Sequence, residues 1–415
     1  MKKIILSSMI MLVTANAYSG GYRVALQGQQ ALGMGHTGVA MSESAESLFF
    51  NPGAASFLDA DEMFTGGLTL ISGETRYQNT ATNTTAKTDN PVGTPVSLYY
   101  STRENDKLSY GLGIYTPFGN KVVWPKDWAG SHLVNNIELS AIYIQPTVSY
   151  KLSENIGFGI GPTLVIGAVE FNRNLSTSLV DANGNRSNVT IQASGVKAMG
   201  LNVGLYYKYS DDISLGLSYR SKVDMKARGG SADFQNVPAS LQAAFADTTF
   251  DADLVLPAEL TLGVSFMAGH ATTIAFDINR TYWSAYKSLD ITFYNSIGTS
   301  VNPRNYQNAN IYRLGIQHVV SDDLTLRGGV YLDKTPIQNG YFTPETPRND
   351  STGFTGGASY RLSKNLELDF SLLVLVFDEF TGSYDFYDQS GTTISFGGQY
   401  KSAVTTIGFG VNYVF

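Results

Sequence analysis

Short and long connections alternate along this sequence, and that alternation leaves the chain few possible folds. From residue 62 onward, segments with one apolar and one polar face follow one another, as in residues 108–115 (LSYGLGIY) and 213–220 (ISLGLSYR). Apolar residues stand at every second position of these segments, which is the period of a β-strand. Short polar turns and long polar loops therefore alternate as the connections between successive strands.

This layout indicates a membrane barrel rather than a soluble sandwich. Short turns at one end and long loops at the other are typical of outer-membrane barrels, whose sheet closes because lipid tolerates no unpaired edge. We predict an all-β fold, a transmembrane antiparallel barrel of about fourteen strands over residues 61–415, with the short turns facing the periplasm. The short turns are 104–107, 153–155, 210–212, 269–270, 321–323 and 363–365, and the long loops are 78–93, 119–136, 176–188, 229–253, 285–304, 334–350 and 379–402.

The rest of the chain agrees with a barrel. After the N-terminus no stretch is apolar over the roughly 18 residues that a membrane helix needs. The last segment, residues 407–415 (IGFGVNYVF), alternates large apolar residues with small ones and ends on Phe415. This ending resembles the terminal signal by which outer-membrane barrels are recognised for insertion.

Residues 1–17 have the features of a cleaved secretory signal. Two lysines precede an apolar core over residues 4–13, and Ala15-Asn16-Ala17 forms a small-x-small cleavage site. The core is about half as long as a membrane span, which disfavours an N-terminal anchor. The signal and the barrel together predict export to the outer membrane of a Gram-negative bacterium.

Residues 18–60 fit neither pattern, and we interpret them as a plug, or hatch, inside the barrel. They contain closely spaced glycines up to Gly38, a helix-capable run over residues 42–50 and the turn Asn51-Pro52-Gly53. We expect that turn to mark the junction of hatch and wall, as part of the gate. The opposite end, Gly21-Tyr22, is the part of the hatch expected to touch a ligand.

The sequence gives little support to catalysis. It has no cysteine, which excludes disulfides and thiolate metal sites, and only four histidines, none of which are paired at metal-ligand spacing. No nucleophile-elbow motif occurs, and no basic stripe suits nucleic acid. We predict a protein that is not an enzyme and has no metal or cofactor. A Ser-His-Asp group assembled only in three dimensions remains the alternative.

The thirteenth predicted strand suggests an apolar pocket. Along residues 366–377 the face assigned to the lumen begins polar and then becomes Leu373, Leu375 and Phe377. A water-filled pore has no use for such residues, whereas a pocket for an apolar ligand does. The alternative is that they pack against the hatch or an infolded loop.

The seventh predicted strand suggests a site for an anionic head group. The same alternation assigns Arg220, Lys222, Lys226 and Arg228 to the lumen face, with Asp224 among them. Arg220 or Lys222 beside an apolar pocket would hold a fatty carboxylate. The alternative is a ladder of internal salt bridges.

The long loop over residues 229–253 contains a candidate capture site. Pro238 is well placed to start a short helix, on which Leu241 and Phe245 share one face. That face either binds ligand first or covers the loop's own small core. Two further prolines, Pro146 and Pro162, interrupt strands and would mark bulges or a gap in the wall.

The order and spacing of several segments resemble the long-chain fatty acid transporters of Gram-negative outer membranes, a family that includes toluene-uptake channels. The resemblance covers essentially the whole mature chain. The segments are Gly20-Gly21-Tyr22, the glycines through Gly38, Asn51-Pro52-Gly53, residues 115–119 (YTPFG), residues 219–222 (YRSK), Leu256-Pro257, residues 277–283 and residues 326–336.

The resemblance implies a fourteen-stranded barrel with an N-terminal hatch whose first residues reach a hydrophobic pocket. It also implies that ligand leaves sideways, through a wall gap at a kinked strand. The chain departs from the family pattern at Gly53, where the motif has alanine, and at Ser44, where many members carry an acid. These departures concern the hatch and leave the expected fold unchanged.

The resulting expectation is passive uptake of hydrophobic molecules, foremost long-chain fatty acids, by a monomer surrounded by outer-membrane lipid. Ligand would be captured at the outer loops, bound in a lumen pocket and released when the hatch moves. The alternatives are a channel for aromatic hydrocarbons, a structural or adhesive barrel, and a hydrophilic porin.

Overall fold

A computed structural model describes residues 21–389 and 391–415, so the predicted signal at residues 1–17 lies outside the described part. Within these ranges no helix is both long and apolar enough to cross a membrane.

Fourteen antiparallel strands form a closed barrel, as predicted. The first strand pairs with the last from Met63↔Val414 to Gln78↔Gln399, which leaves the sheet without a free edge. The strands of the barrel are β1 Glu62–Gln78, β2 Thr85–Lys87 with Val96–Arg103, β3 Leu108–Val123, β4 Asn136–Ser153, β5 Ile156–Asn174, β6 Asn188–Lys208, β7 Ile213–Arg220 with Val223–Gln235, β8 Thr248–Leu256 with Glu259–Ala268, β9 Thr272–Thr281, β10 Ala309–Ser321, β11 Leu324–Asp333, β12 Ser351–Arg361, β13 Leu366–Phe377 with Phe380–Gln389, and β14 Thr392–Val414. The loop after β9 contains two further short strands, Ile291–Phe293 and Thr299–Ser300.

The lipid-facing side is apolar and the lumen side is largely polar, as the alternation predicts. On β13 the outward residues from Leu368 to Val376 are 38–49% exposed, whereas the inward Asp369, Ser371 and Leu373 are 4%, 0% and 2% exposed. The apolar outward band meets hydrocarbon and the inward polar groups bind one another or the hatch.

Two predicted loops are partly strand. Residues 379–402 form a long hairpin instead, because Phe380–Gln389 pairs with the first part of β14. Likewise β7 continues to Gln235 and β8 begins at Thr248, which shortens the predicted loop 229–253 to residues 236–247. Both strand extensions lie beyond the apolar band, where the outer face is polar, and this polarity resembles that of a loop.

The assignment of Lys222, Lys226 and Arg228 to the lumen was wrong. These side chains point outward, and Val223, Met225 and Ala227 point inward with 1%, 6% and 7% exposure. The cause is an irregularity at Ser221, whose amide donates to the Leu201 carbonyl at 2.8 Å while its hydroxyl accepts from the Leu201 amide at 2.9 Å. An extra residue at this point reverses the faces of the strand that follows.

The segment before β1 lies inside the barrel. It contains α1 Gln29–Gly33, α2 Ser47–Phe50 and a 3₁₀ turn at Ala54–Phe57, joined by extended and turn residues. Between residues 21 and 58 only Glu43 is exposed. The helix-capable run over residues 42–50 is therefore helical only at its end, and we refer to residues 21–61 as the hatch.

The Asn51-Pro52-Gly53 turn fixes the hatch to the wall through backbone contacts. The Asn51 amide donates to the carbonyls of Val39 at 2.7 Å and Leu205 at 3.0 Å, and Ser149 donates to the Pro52 carbonyl at 2.6 Å. A Cβ on Gly53 would stand 2.7 Å from the Gly157 carbonyl oxygen and 2.8 Å from that of Gly204. The close approach leaves little room for a side chain at this position.

We expect Gly53→Ala to loosen the hatch, because the added methyl group meets rigid strand backbone and overpacking typically costs about 1–3 kcal/mol. The measurement is the rate at which protease cleaves the hatch in detergent-extracted protein, together with the thermal unfolding midpoint. Gly356→Ala is the matched control, since a Cβ at Gly356 would meet nothing within 4 Å. Equal protease resistance in both variants would contradict this account.

Candidate functional site

An apolar cavity of about 100 Å³ lies between the hatch and the extracellular half of the wall. Strands β3 to β8 line one side, and residues of the loops after β9 and β11 cover it. Its lining is almost entirely apolar, and Asn120, Ser140, Glu345 and Thr346 are the polar residues along it. Apolar residues that carry the following argument are Leu139, Val196, Met225, Ala227, Leu289 and Ile291.

The face reversal on β7 creates this lining. Had the regular alternation continued, Lys222, Asp224 and Lys226 would project into the cavity. The irregularity at Ser221 instead turns Met225 and Ala227 inward, where they line it. A charged group in such a place would lose most of its hydration without a partner, which is costly.

Tyr22 forms the hatch side of the cavity. Its ring packs edge-on against Trp283 and Tyr286, with centroid distances of 4.9 and 5.5 Å, and its hydroxyl donates to the Val255 carbonyl. Gly21 adopts a φ of 54°, and a Cβ there would stand 2.6 Å from the Trp283 ring. The predicted ligand-contacting end of the hatch is thus adjacent to the apolar cavity through Tyr22.

The cavity tyrosines are neutral hydrogen-bond groups. Burial raises the pKa of Tyr306, which lies in the loop after β9, to about 12. Burial likewise raises the pKa of Tyr22 well above its ordinary value. Both phenols therefore remain protonated at physiological pH, and neither adds charge to the cavity.

A second cavity, of about 30 Å³, continues from the first toward the loops. The two share Leu289, Ile291 and Glu345 in their linings, and the second adds Arg173 and Arg304. Arg304 is ion-paired with Glu345. The half-buried Arg173 donates to Ser300 Oγ at 3.2 Å and has no acidic partner within the described ranges.

The wall is interrupted where β3 bends beside the hatch. The β2–β3 ladder ends at Leu98↔Ile114, and the β3–β4 register shifts between Tyr115 and Phe118. Hatch backbone covers this place from inside, because Val24 N–H donates to the Pro117 carbonyl at 2.8 Å and Gly119 N–H to the Tyr22 carbonyl at 3.0 Å. The β3 backbone therefore pairs with the hatch where it has no β2 partner.

Pro146 and Pro162, which were predicted to interrupt strands, lie at a smaller irregularity of the wall. Pairing between β4 and β5 stops at Ile144↔Leu164 and resumes at Val148↔Ile160. Pro146 still pairs with β3, and Pro162 still pairs with β6. These prolines thus mark a short break in one ladder.

Arg220 lies in an ion-pair network beneath the apolar cavity. It donates to Glu259 at 2.9 Å, and Arg23 of the hatch joins Glu259 to Asp333 at 3.1 and 2.9 Å. The Arg220 guanidinium also stacks 4.2 Å over the Phe49 ring. This network binds hatch to wall, so Arg220 does not line the apolar cavity.

The other predicted ligand residues lie elsewhere. Leu373 packs with Leu26 and Leu32 of the hatch, with Leu375 at the edge of that cluster. Phe377 is buried at 4% exposure, and none of the three lines the apolar cavity.

In the outer loop, Leu241 ends a 3₁₀ turn, Ala239–Leu241. Phe245 packs 5.9 Å from Phe234, whose ring lies 5.8 Å from that of Phe293. Leu241 and Phe245 are both half-buried, which fits the alternative that these side chains cover the loop's own small core.

Sequence reasoning did not find most of the cavity. Its lining comes from six wall strands and two loops, and each strand contributes between one and four residues. The one local signal was the alternation of charged and apolar residues over 222–228 (KVDMKAR). The prediction placed its charged residues on the lumen face, whereas the apolar ones lie there.

Known proteins share this architecture. A Pseudomonas aeruginosa FadL homologue superimposes with a TM-score of 0.84 at 18% identity, covering 95% of this chain and 100% of that chain. The Ralstonia pickettii toluene transporter TbuX gives 0.68 at 18% identity, covering 93% and 98%. At these identities the likeness establishes the fold.

Sequence comparison identifies the family. Outer membrane protein P1 of Haemophilus influenzae is 22% identical over 407 residues, covering 88% of each chain. The long-chain fatty acid transport protein of Escherichia coli K12 is 21% identical over 395 residues, covering 87% of this chain and 88% of that protein. The profile described as "Outer membrane protein transport protein (OMPP1/FadL/TodX)" matches residues 10–415, so the chain belongs to this family of outer-membrane transport proteins.

Proposed function

We propose that this protein admits hydrophobic molecules, foremost long-chain fatty acids, passively through the outer membrane. The observation that carries this proposal is the apolar cavity against Tyr22, which is lined almost entirely by apolar groups. Similarity to a named fatty acid transport protein supports the same assignment. No chemical step is needed, since uptake requires only graded affinity, and we infer a channel without catalytic activity that acts as a monomer in lipid.

Arg173 favours a fatty acid over a hydrocarbon. The apolar cavity suits the alkyl chain, and the adjoining cavity offers the Arg173 guanidinium, which has no acidic partner in the described structure. A carboxylate there would form charge-assisted hydrogen bonds. An aromatic hydrocarbon remains the second candidate, because the larger cavity binds an apolar molecule without needing a charge and a toluene transporter shares the fold.

Release would proceed at the β3 bend. Hatch residues Tyr22 and Val24 cover the place where β3 has no β2 partner, and Tyr22 also borders the apolar cavity. A shift of this segment would join cavity and wall break. The gate would therefore be the start of the hatch, while Asn51-Pro52-Gly53 holds its other end fixed.

Uptake by cells tests the function. A strain that lacks the chromosomal copy should take up labelled oleate at least tenfold more slowly than the same strain carrying the gene on a plasmid. Labelled toluene, tested in parallel, decides between fatty acid and aromatic hydrocarbon. Equal uptake of both probes with and without the gene would refute the proposal and favour a structural or adhesive barrel. Planar-bilayer conductance distinguishes the proposed channel from a hydrophilic porin, for which a large steady current is expected.

Leu139→Asp should weaken oleate binding by more than tenfold, because a carboxylate in the apolar cavity must either lose hydration or exclude the alkyl chain. The check is the dissociation constant for oleate in detergent. Val301→Asp makes a comparable change at a loop position that is 58% exposed and should bind normally. Normal binding by folded Leu139→Asp would remove this cavity from the function.

Arg173→Gln should weaken oleate binding about tenfold, the loss expected for one hydrogen bond to a charged group. Binding of hexadecanol, which has a similar chain but no charge, should stay within twofold of wild type. An equal loss for both probes would indicate a packing role for Arg173 rather than recognition of the carboxylate.

A further inference from the structure

Besides the β3 bend and the short β4–β5 break, the wall contains a longer place where neighbouring strands are not paired. Strands β6 and β7 pair below it from Asn202↔Arg220 to Lys208↔Ser214, and above it from Asn188↔Gln235 to Gln192↔Ser231. Between these ladders, residues 193–200 and 222–230 form no pair with each other in the described structure. At about 3.3 Å per residue, this seam is about 26 Å long.

The seam begins at the outer edge of the apolar band. Met199 and Tyr219, which are 75% and 42% exposed, are the large outward apolar residues at its lower end. Higher on the same strands the exposed outward residues are Lys197, Lys222 and Lys226. In hydrocarbon each unpaired backbone group would cost several kcal/mol, whereas here water and lipid head groups can bind it. An unpaired seam is stable at this level for that reason.

The inner side of the seam borders the apolar cavity. Val196 on β6 and Met225 and Ala227 on β7 all line that cavity. The Met225 methyl group lies 2.5 Å from where a Cβ of Gly167 on β5 would stand, and Gly167 is paired with Val196. The Met225 side chain therefore crosses the inner face of β6, and this unbranched thioether can change rotamer at little cost.

The outer side of the seam carries two cations that form no ion pair within the described residues. Lys222 is paired with Asp224 at 2.9 Å and Arg228 with Asp253 at 2.6 Å. Lys197 and Lys226 are exposed and form no ion pair within the described ranges. An anionic head group at this level would meet both of these ammonium groups beside the seam.

We propose that the β6–β7 seam is a lateral inlet that admits single-chain anionic amphiphiles from the outer boundary of the membrane into the apolar cavity. The alkyl chain passes between Val196 and Met225 while Lys197 and Lys226 hold the head group. This inference rests on the proposed uptake function and assigns it an inlet separate from the β3 bend. The two openings differ, because hatch backbone covers β3 whereas side chains alone cover the seam.

Closing the seam from outside tests the inlet. The chain has no cysteine, so Lys197→Cys with Lys226→Cys can be bridged by a bifunctional maleimide on cells, with the yield measured by mass spectrometry of peptides. Bridging should lower the initial rate of oleate uptake at least fivefold relative to the untreated double variant. The matched control is Glu138→Cys with Glu170→Cys, two exposed residues directly paired on the β4–β5 ladder, and its uptake should not change.

Two further variants make the test independent of cross-linking. Met225→Ala should raise the initial rate of oleate uptake about twofold, because it removes the side chain that crosses the seam. Lys197→Gln with Lys226→Gln should lower oleate uptake severalfold and leave hexadecanol uptake unchanged.

Unchanged oleate uptake after complete bridging, or an equal loss in the bridged control, would overturn the inlet. Met225→Ala at or below the wild-type rate, or equal losses of oleate and hexadecanol in the glutamine variant, would contradict the roles of these side chains. If the wild-type gene itself confers no uptake of oleate, the proposed function fails rather than the inlet alone.

Discussion

Backbone hydrogen bonding in lipid is the constraint on which this structure depends. A strand in hydrocarbon must pair on both edges, so the β1–β14 closure is continuous over residues 63–78. At the β3 bend and the β6–β7 seam, other groups take the place of the missing strand. At β3 the hatch supplies the missing partner through Val24 and Tyr22. At the β6–β7 seam the backbone lies above the apolar band, where water and lipid head groups supply the missing hydrogen bonds. Each break also borders the cavity or Tyr22, so both are positioned for transport.

The same boundary decides how far sequence could predict the fold. Within the membrane, the apolar face of each strand is the one that points out of the barrel. For this part of the chain the number of strands, the closure of the barrel and the lipid-facing residues were predicted correctly. Beyond the membrane the outside is polar, and the apolar face is the inner one. Residues 222–228 cross that boundary just after the irregularity at Ser221, so the alternation alone could not assign Lys222 and Lys226. The long hairpin over residues 379–402 was missed for a related reason, since its exposed polar residues resemble a loop.

Charge and apolar surface are separated inside the barrel. Arg23, Arg220, Glu259 and Asp333 form a network between hatch and wall, and Arg304 pairs with Glu345 above it. Removing one member would leave another charge buried without a partner, which is far more costly than the pair itself is favourable. The network therefore specifies the position of the hatch more than it adds to stability. Sequence reasoning identified Arg220 as an inward cation but could not show that Glu259, on another strand, neutralises it.

The two wall breaks suggest a route for transport. Opening the seam requires only that side chains such as Met225 change rotamer, which is a smaller motion than the shift of a backbone segment. Opening the β3 bend requires the hatch to give up backbone hydrogen bonds at Val24 and Gly119 and the aromatic contacts of Tyr22. Ligand in the cavity touches Tyr22 and can weaken those aromatic contacts, whereas ligand outside the seam cannot. An inlet that opens readily and an outlet that responds to an occupied cavity both speed passage through the barrel, while the inward direction comes from the cell's consumption of the product.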